Sequence, residues 1–103
     1  MTVTGHIIRG NDIFVALPSR DALNVSVELY NPASGRRLTA PVLDVGPWNT
    51  NDPYWLTNSR PQAESGKDLY GRTTNGAGID LSNRVFRELG LKNNGWIYWR
   101  FIK

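Results

Sequence analysis

Two aspartates stand where apolar segments give way to a turn or to a helix start. Asp44 lies within residues 42–48, and Asp80 lies within residues 78–82. Two carboxyl groups held at the rim of a rigid core can divide the work of cleaving a glycosidic bond, because one group supplies a proton and the other a negative charge. The sequence therefore predicts Asp44 and Asp80 as candidate catalytic residues.

Each aspartate also has a structural interpretation. A carboxyl group at the dry end of a strand holds its proton to higher pH, which would suit Asp44 to general acid catalysis. Just before Gly46 and Pro47, however, the same residue could accept backbone N–H groups in an Asx-turn. Asp80 precedes a predicted helix N-cap by two residues, so it could stabilise the helix N-terminus or contact a substrate. The sequence leaves both alternatives open.

The segment between the aspartates is rich in aromatic and amide side chains. Its predicted substrate-binding residues are Trp48, Tyr54, Trp55, Tyr70, Asn49 and Asn75. Sugar sites combine ring faces with hydrogen-bonding groups, because a pyranose has an apolar face and a polar edge. The competing interpretation is a small cluster that pins a long loop to the domain.

Composition excludes several classes of site. The chain has 103 residues and 40% hydrophobic content, which fits a single globular domain over residues 1–103. It has no cysteine, so disulfides, thiol nucleophiles and cysteine-based zinc sites are excluded. His6 is the single histidine and cannot form a multi-histidine metal site. We therefore expect no metal and no cofactor.

The charge pattern bears on partners. The net charge is +3, and the 12 basic residues are dispersed along the chain. A nucleic-acid-binding protein more often shows a concentrated basic stripe, so no nucleic acid is expected. Dispersed positive charge suits weak attraction to an anionic polymer such as a cell wall. No apolar run approaches the length of a membrane span, and residues 1–10 lack the apolar core of a signal peptide.

Short strands and one helix must position these residues. Residues 3–8 and 13–17 predict strands, and the alternation over 24–30 predicts a half-buried strand that pairs with 37–43 in a hairpin. Ser82 is a predicted helix N-cap, and Gly90 is the matching stop signal. Residues 96–102 predict a final strand. Between Gly46 and Gly78 the periodicity fails, which predicts a long central loop.

A set of ordered motifs resembles a known family. The matching segments are residues 15–18, 25–27, 31–35, 42–47 and 79–82, then Phe86, Leu89, Gly90, Gly95 and 99–102. In this order they resemble the six-stranded double-psi β-barrels of the rare-lipoprotein-A-like, expansin and barwin group. The resemblance covers about residues 13–103 apart from the central loop. It implies a mostly β domain: a six-stranded double-psi β-barrel with one short helix and a loop insertion at 47–78.

The resemblance also implies a function. Because it lacks cysteine, the chain resembles the bacterial rare-lipoprotein-A branch more than the disulfide-bearing plant proteins. Members of that branch bind or cleave peptidoglycan strands, some as lytic transglycosylases. In the family the residue matching Asp44 is required for activity, and the residue matching Asp80 lines the same groove. The expectation is a monomeric, lytic transglycosylase-like protein acting on peptidoglycan or another cell-wall polysaccharide outside the cytoplasm. No leader is visible in the chain, so such a location implies a removed leader or another export route.

Departures from the family pattern keep an alternative open. Phe14 stands near the place of a family histidine, and Val45 replaces the family's arginine after the aspartate. These losses favour a non-catalytic, expansin-like module that binds or loosens the wall, whereas the retained aspartate pair favours an enzyme. A third hypothesis is an inhibitor or interaction protein that keeps only the barrel.

Overall fold

The computed structural model describes residues 12–54, 59–92 and 95–102. The strands are β1 (Val15–Leu17), β2 (Ser26–Asn31), β3 (Arg36–Val45), β4 (Asp80–Leu81) and β5 (Tyr98–Phe101), and helix α1 spans Asn83–Glu88. Short 3-10 helices occur at Arg20–Ala22 and Gln62–Ser65. The prediction of a mostly β chain with one short helix is confirmed for these residues. The predicted strand 3–8, with His6, and Trp55 lie outside them.

The five described strands form one mixed sheet in the order β4-β1-β3-β2-β5. β1 runs parallel to β3, and the other neighbouring pairs are antiparallel. β3 therefore lies between β1 and β2, which run in opposite directions. The sixth strand and the barrel closure implied by the resemblance go beyond these five strands.

The predicted hairpin is formed by β2 and β3, whose pairing runs from Ser26 opposite Pro41 to Asn31 opposite Arg36. Its alternation follows the sequence pattern, because Val27 and Leu29 are fully buried while their neighbours are partly exposed. Asn31 Oδ1 accepts a hydrogen bond from Ala33 N at 3.1 Å, and the turn then closes through a glycine with φ 74°. The turn chemistry thus sets the register of the sheet's longest pairing.

The hydrophobic core lies between the sheet and α1. It contains Val15, Leu17, Ala22, Val27, Leu29, Ala40, Val42, Val85 and Leu89. As predicted, Ser82 is the N-cap of α1, and its Oγ accepts a hydrogen bond from Val85 N at 3.3 Å. Gly90 follows the helix with φ 72°, a conformation that glycine adopts without strain. No helix in the described part of the chain is long and apolar enough to cross a membrane.

The central loop is held by carboxylates rather than by a core of its own. Asp52 is buried and accepts hydrogen bonds from Tyr54 N at 3.1 Å and Gln62 N at 2.7 Å. Asp68 is also buried and accepts hydrogen bonds from Tyr70 N at 2.9 Å and from the backbone of Arg72 at 2.8 Å. Side chain-to-backbone bonds of this kind stabilise irregular segments without leaving any periodicity in the sequence.

Candidate functional site

Asp44 and Asp80 are placed on either side of one residue. Ala16 of β1 pairs with Asp44 of β3 on one side and with Asp80 of β4 on the other. Side chains directly opposite each other on neighbouring strands share a face of the sheet, and two strand spacings separate the outer Cα atoms by about 10 Å. The structure therefore places the two predicted aspartates on one face of the sheet, on either side of Ala16.

A β-bulge aims Asp44 toward this face. The consecutive residues Val15 and Ala16 pair with Val42 and Asp44, which are two residues apart, so β3 has one extra residue here. Val42 belongs to the core, and regular alternation would direct Asp44 to the same side. Bulges re-aim side chains in this way and are frequent beside active sites. Asp44 is partly exposed as a result.

The pair perturbs the protonation of Asp80. Burial raises the pKa of the Asp80 carboxyl above its ordinary value, and the negative charge of Asp44 raises it further. Asp80 nevertheless keeps considerable solvent exposure as a residue, so the proton remains accessible. An aspartate that holds its proton to higher pH in an accessible position can act as a general acid.

Asp44 and Asp80 differ in their local hydrogen bonding and in their place in the chain. Asp44 Oδ1 accepts a hydrogen bond from the next backbone N–H, that of Val45, at 2.9 Å, which orients the carboxyl group at the end of β3. Asp80 lies in β4, two residues before the helix N-cap Ser82. Ser82 Oγ also donates to Asp12 O at 2.7 Å, so the cap ties the helix start to the chain before β1.

A cleft of about 550 Å³ opens beside Asp80. Its lining includes charged, amide and indole side chains, namely Asp80, Glu64, Arg60, Asn75, Trp96 and Trp99. Trp96 presents 77% of its surface to solvent, a large apolar area that could contact a ligand. The described residues lining this cleft do not include Asp44. Asp80 is thus the member of the pair that faces the cleft.

Two of the predicted substrate-binding residues are buried. Asn49 is 1% exposed, and its amide donates to Asp68 Oδ2 at 3.5 Å while its Oδ1 accepts from Leu69 N at 3.3 Å. Tyr54 is 4% exposed and packs edge-on against Trp99 with ring centroids 6.2 Å apart. Both side chains therefore stabilise the loop in this structure, which is the competing interpretation of the aromatic and amide pattern.

The other described members of that set remain at the surface. Trp48 Nε1 donates to Asn75 Oδ1 at 3.2 Å, and Arg72 Nη2 donates to Trp48 O at 3.0 Å. Asn75 lines the cleft, so this hydrogen bond holds the Trp48 ring near the cleft wall. Tyr70 is 71% exposed and lies with its ring centroid 5.6 Å from the Arg72 guanidinium carbon. Both rings are accessible to a ligand.

Arg60, Glu64 and Trp96 line the cleft but are not among the residues predicted for the site from the sequence. Arg60 and Glu64 are four residues apart and form an ion pair in the structure, a spacing that is visible in the sequence. Trp96 falls on the outward face of the predicted last strand, but outward position alone does not distinguish a binding ring from an incidental one. In the described residues, no three His, Cys, Asp or Glu side chains are grouped to hold a metal ion.

The chain matches a known protein family over most of its length. The family model, described as a domain of unknown function, DUF8814, matches residues 1–100. No curated protein matches the chain.

Proposed function

We propose a function for this chain, which belongs to the DUF8814 family: it acts on cell-wall glycan, with peptidoglycan as the first candidate, through the carboxyl pair of Asp80 and Asp44. One observation supports the proposal above all others. Asp44 and Asp80 flank Ala16 on one face of the sheet, and burial, together with the negative charge of Asp44, raises the pKa of Asp80, which faces the cleft. In glycan cleavage such a pair can divide proton donation from charge stabilisation.

A double-psi β-barrel is the fold that we propose for the whole chain. The sheet order supports it, since β3 lies hydrogen-bonded between β1 and β2, which are antiparallel to each other. Closure into a six-stranded barrel is part of the proposal.

The reaction that we propose is that of a lytic transglycosylase. Asp80 donates its proton to the glycosidic oxygen as the bond from that oxygen to the anomeric carbon breaks. The sugar's own 6-hydroxyl oxygen then attacks the anomeric carbon, and its proton returns to Asp80, so no water is consumed. The Asp44 carboxylate stabilises the positive charge that develops on the sugar. The raised pKa makes Asp80, rather than Asp44, our choice of proton donor.

Digestion of purified peptidoglycan tests this assignment. The wild-type protein should release anhydro-muropeptides that mass spectrometry detects, and Asp80→Asn should release none because an amide is too weak an acid to protonate the glycosidic oxygen. Asp44→Asn should also lose most activity, while Asp21→Asn, a change of an exposed aspartate away from the site, should not. Full activity of Asp80→Asn would refute the assignment.

A non-catalytic glycan-binding module is the second candidate function. The exposed ring of Trp96 and the absence of Asp44 from the described lining of the cleft favour it. A module of this kind should co-sediment with insoluble wall without releasing soluble product, and Trp96→Ala should weaken sedimentation. If wild-type protein does not sediment with the wall and releases nothing, both candidates are wrong.

A further inference from the structure

The guanidinium group of Arg60 lies between an aromatic ring and a carboxylate at the wall of the cleft. Its central carbon is 5.3 Å from the centroid of the Trp96 ring, and its Nε is ion-paired with Glu64 Oε2. A cation over an aromatic face is attracted by the ring quadrupole, and a neighbouring carboxylate adds direct charge attraction. Trp96 and Glu64 together therefore form a cation-binding arrangement that Arg60 fills.

The Glu64 side chain is largely buried, whereas the Arg60 side chain is exposed. The side chain of Glu64 is 17% exposed, and it lies so close over Gly78 that a Cβ there would come within 2.1 Å of Oε1. The Arg60 side chain is 68% exposed. An ion pair with one partner this exposed is weak, so the arginine can leave at small cost.

We infer that Trp96 and Glu64 form a cation subsite of the cleft, and that Arg60 occupies it in place of a protonated amino group of the glycan. This inference rests on the proposed function and specifies its substrate class: a glycan in which some sugars carry a free amine instead of an acetamido group. On binding, the ligand ammonium displaces Arg60 into solvent and takes its position beside the Glu64 carboxylate.

The charges around the cleft favour an amine over an acidic sugar. Among the described residues that line it, Glu64 and Asp80 are acidic and Arg60 is basic. Once Arg60 has moved away, an anionic sugar would face two carboxyl groups with no basic partner, whereas an ammonium group finds a carboxylate and an aromatic face. The amine must sit at Glu64 rather than at Asp80, because a positive charge beside Asp80 would oppose its proton-donor role.

Calorimetry with a matched pair of oligosaccharides tests the inference. The probes are a chitooligosaccharide and its fully de-N-acetylated glucosamine counterpart of equal length, at a pH where the amines are protonated and at constant ionic strength. Wild-type protein should bind the glucosamine oligomer about two- to fivefold more tightly, the increment expected for one exposed cation–π contact. Glu64→Gln keeps the side-chain shape and should abolish this preference.

Arg60→Gln distinguishes a displaced residue from a direct contact. Without the internal cation, affinity for the glucosamine oligomer should rise while affinity for the acetylated oligomer stays constant. Arg37→Gln is the matched control, because the Arg37 guanidinium lies 4.4 Å from the Tyr30 ring and pairs with Glu28 but does not line this cleft. It should leave both affinities unchanged.

The outcomes separate this inference from the proposed function. Equal wild-type affinity for the two oligomers would overturn the cation subsite alone, since a glycan would still bind. Weaker glucosamine binding by Arg60→Gln would overturn the displacement of Arg60. Failure of the wild-type protein to bind either oligomer or peptidoglycan would overturn both the subsite and the proposed function.

Discussion

Gly78→Ala probes the position of the Glu64 side chain. It should lower the free energy of unfolding of the wild type but raise that of a Glu64→Ala variant. The new Cβ would lie 2.1 Å from Glu64 Oε1, 2.7 Å from its Cγ and 2.8 Å from its Cδ, while ordinary contact begins at 3.4 Å. Glu64 must therefore retreat by more than 1 Å and give up its pairing with Arg60. The backbone of Gly78 is outside the left-handed region, so alanine itself is not strained there.

The expected change in the free energy of unfolding on Gly78→Ala is the sum of three contributions. Loss of the exposed ion pair costs about 0.3–0.5 kcal/mol, and forcing Glu64 away from its preferred rotamer costs about 0.5–1.5 kcal/mol. Replacing glycine where alanine fits contributes about 0.4–1 kcal/mol in the stabilising direction, by restricting the unfolded chain. We therefore expect Gly78→Ala to destabilise the wild type by about 0.5 kcal/mol but to stabilise a Glu64→Ala background by a similar amount.

Urea unfolding of the four proteins in this double-mutant cycle measures their free energies of unfolding. The comparison holds when the slope of that free energy against urea concentration is the same in all four. The coupling free energy between the two positions should be about 1–2 kcal/mol. Gly71→Ala is the control: its φ of 77° makes alanine unfavourable, and no atom lies within 4 Å of its Cβ position. Its cost should be the same in both backgrounds. If Gly78→Ala behaved like this control, the placement of Glu64 over Gly78 would be refuted.

Three further predictions follow from the carboxylates and the core. Asp44→Asn should lower the pKa of Asp80 toward its ordinary value, because burial still raises it but the second cause, the Asp44 charge, is gone; NMR titration of Asp80 measures this, and an unchanged pKa would contradict the pairing. Although burial of Asp68 raises its pKa, hydrogen bonds from Arg72 and from Tyr70 N lower it overall. The stabilisation is therefore present above the unfolded-state pKa and lost as pH falls through the lowered value. Asp68→Asn should thus be less stable than wild type near neutral pH, with the difference shrinking in acid; a constant difference in urea unfolding would argue otherwise. Leu29→Ala, at a fully buried site, should cost about 2–5 kcal/mol in the same assay, and a loss below 1 kcal/mol would show that the site is not tightly packed.

Sequence patterns predicted the elements that depend on local chemistry. Alternation predicted the half-buried strand over residues 24–30, and in β2 Val27 and Leu29 are buried as that pattern requires. The final strand predicted over 96–102 contains β5. The helix start at Ser82 was predictable because an N-cap side chain acts within three residues of itself. Each of these features needs only a short window of sequence.

The contacts within the central loop and around the cleft could not be predicted in this way. Asn49 was expected to contact sugar, but it is buried because Asp68, distant in sequence, accepts a hydrogen bond from its amide. The bulge that re-aims Asp44 has no marker in its own segment, since the strand remains apolar on both sides. Glu64 and Trp96 meet through Arg60 across the fold. Such contacts depend on tertiary packing, which periodicity does not encode.

The two aspartates lie on strands that differ in their resistance to local unfolding. Asp44 belongs to the ten-residue central strand, whereas Asp80 belongs to a two-residue strand at one margin of the described sheet. Amide hydrogens of β3 should therefore exchange with solvent only on global unfolding, while those of β4 exchange through local opening. When both groups are ionised, their repulsion acts against the weaker strand. Asp44 is therefore held in place by a stable strand, whereas Asp80 can move when β4 opens. Hydrogen–deuterium exchange measured at several acidic pH values should show faster exchange in β4 than in β3.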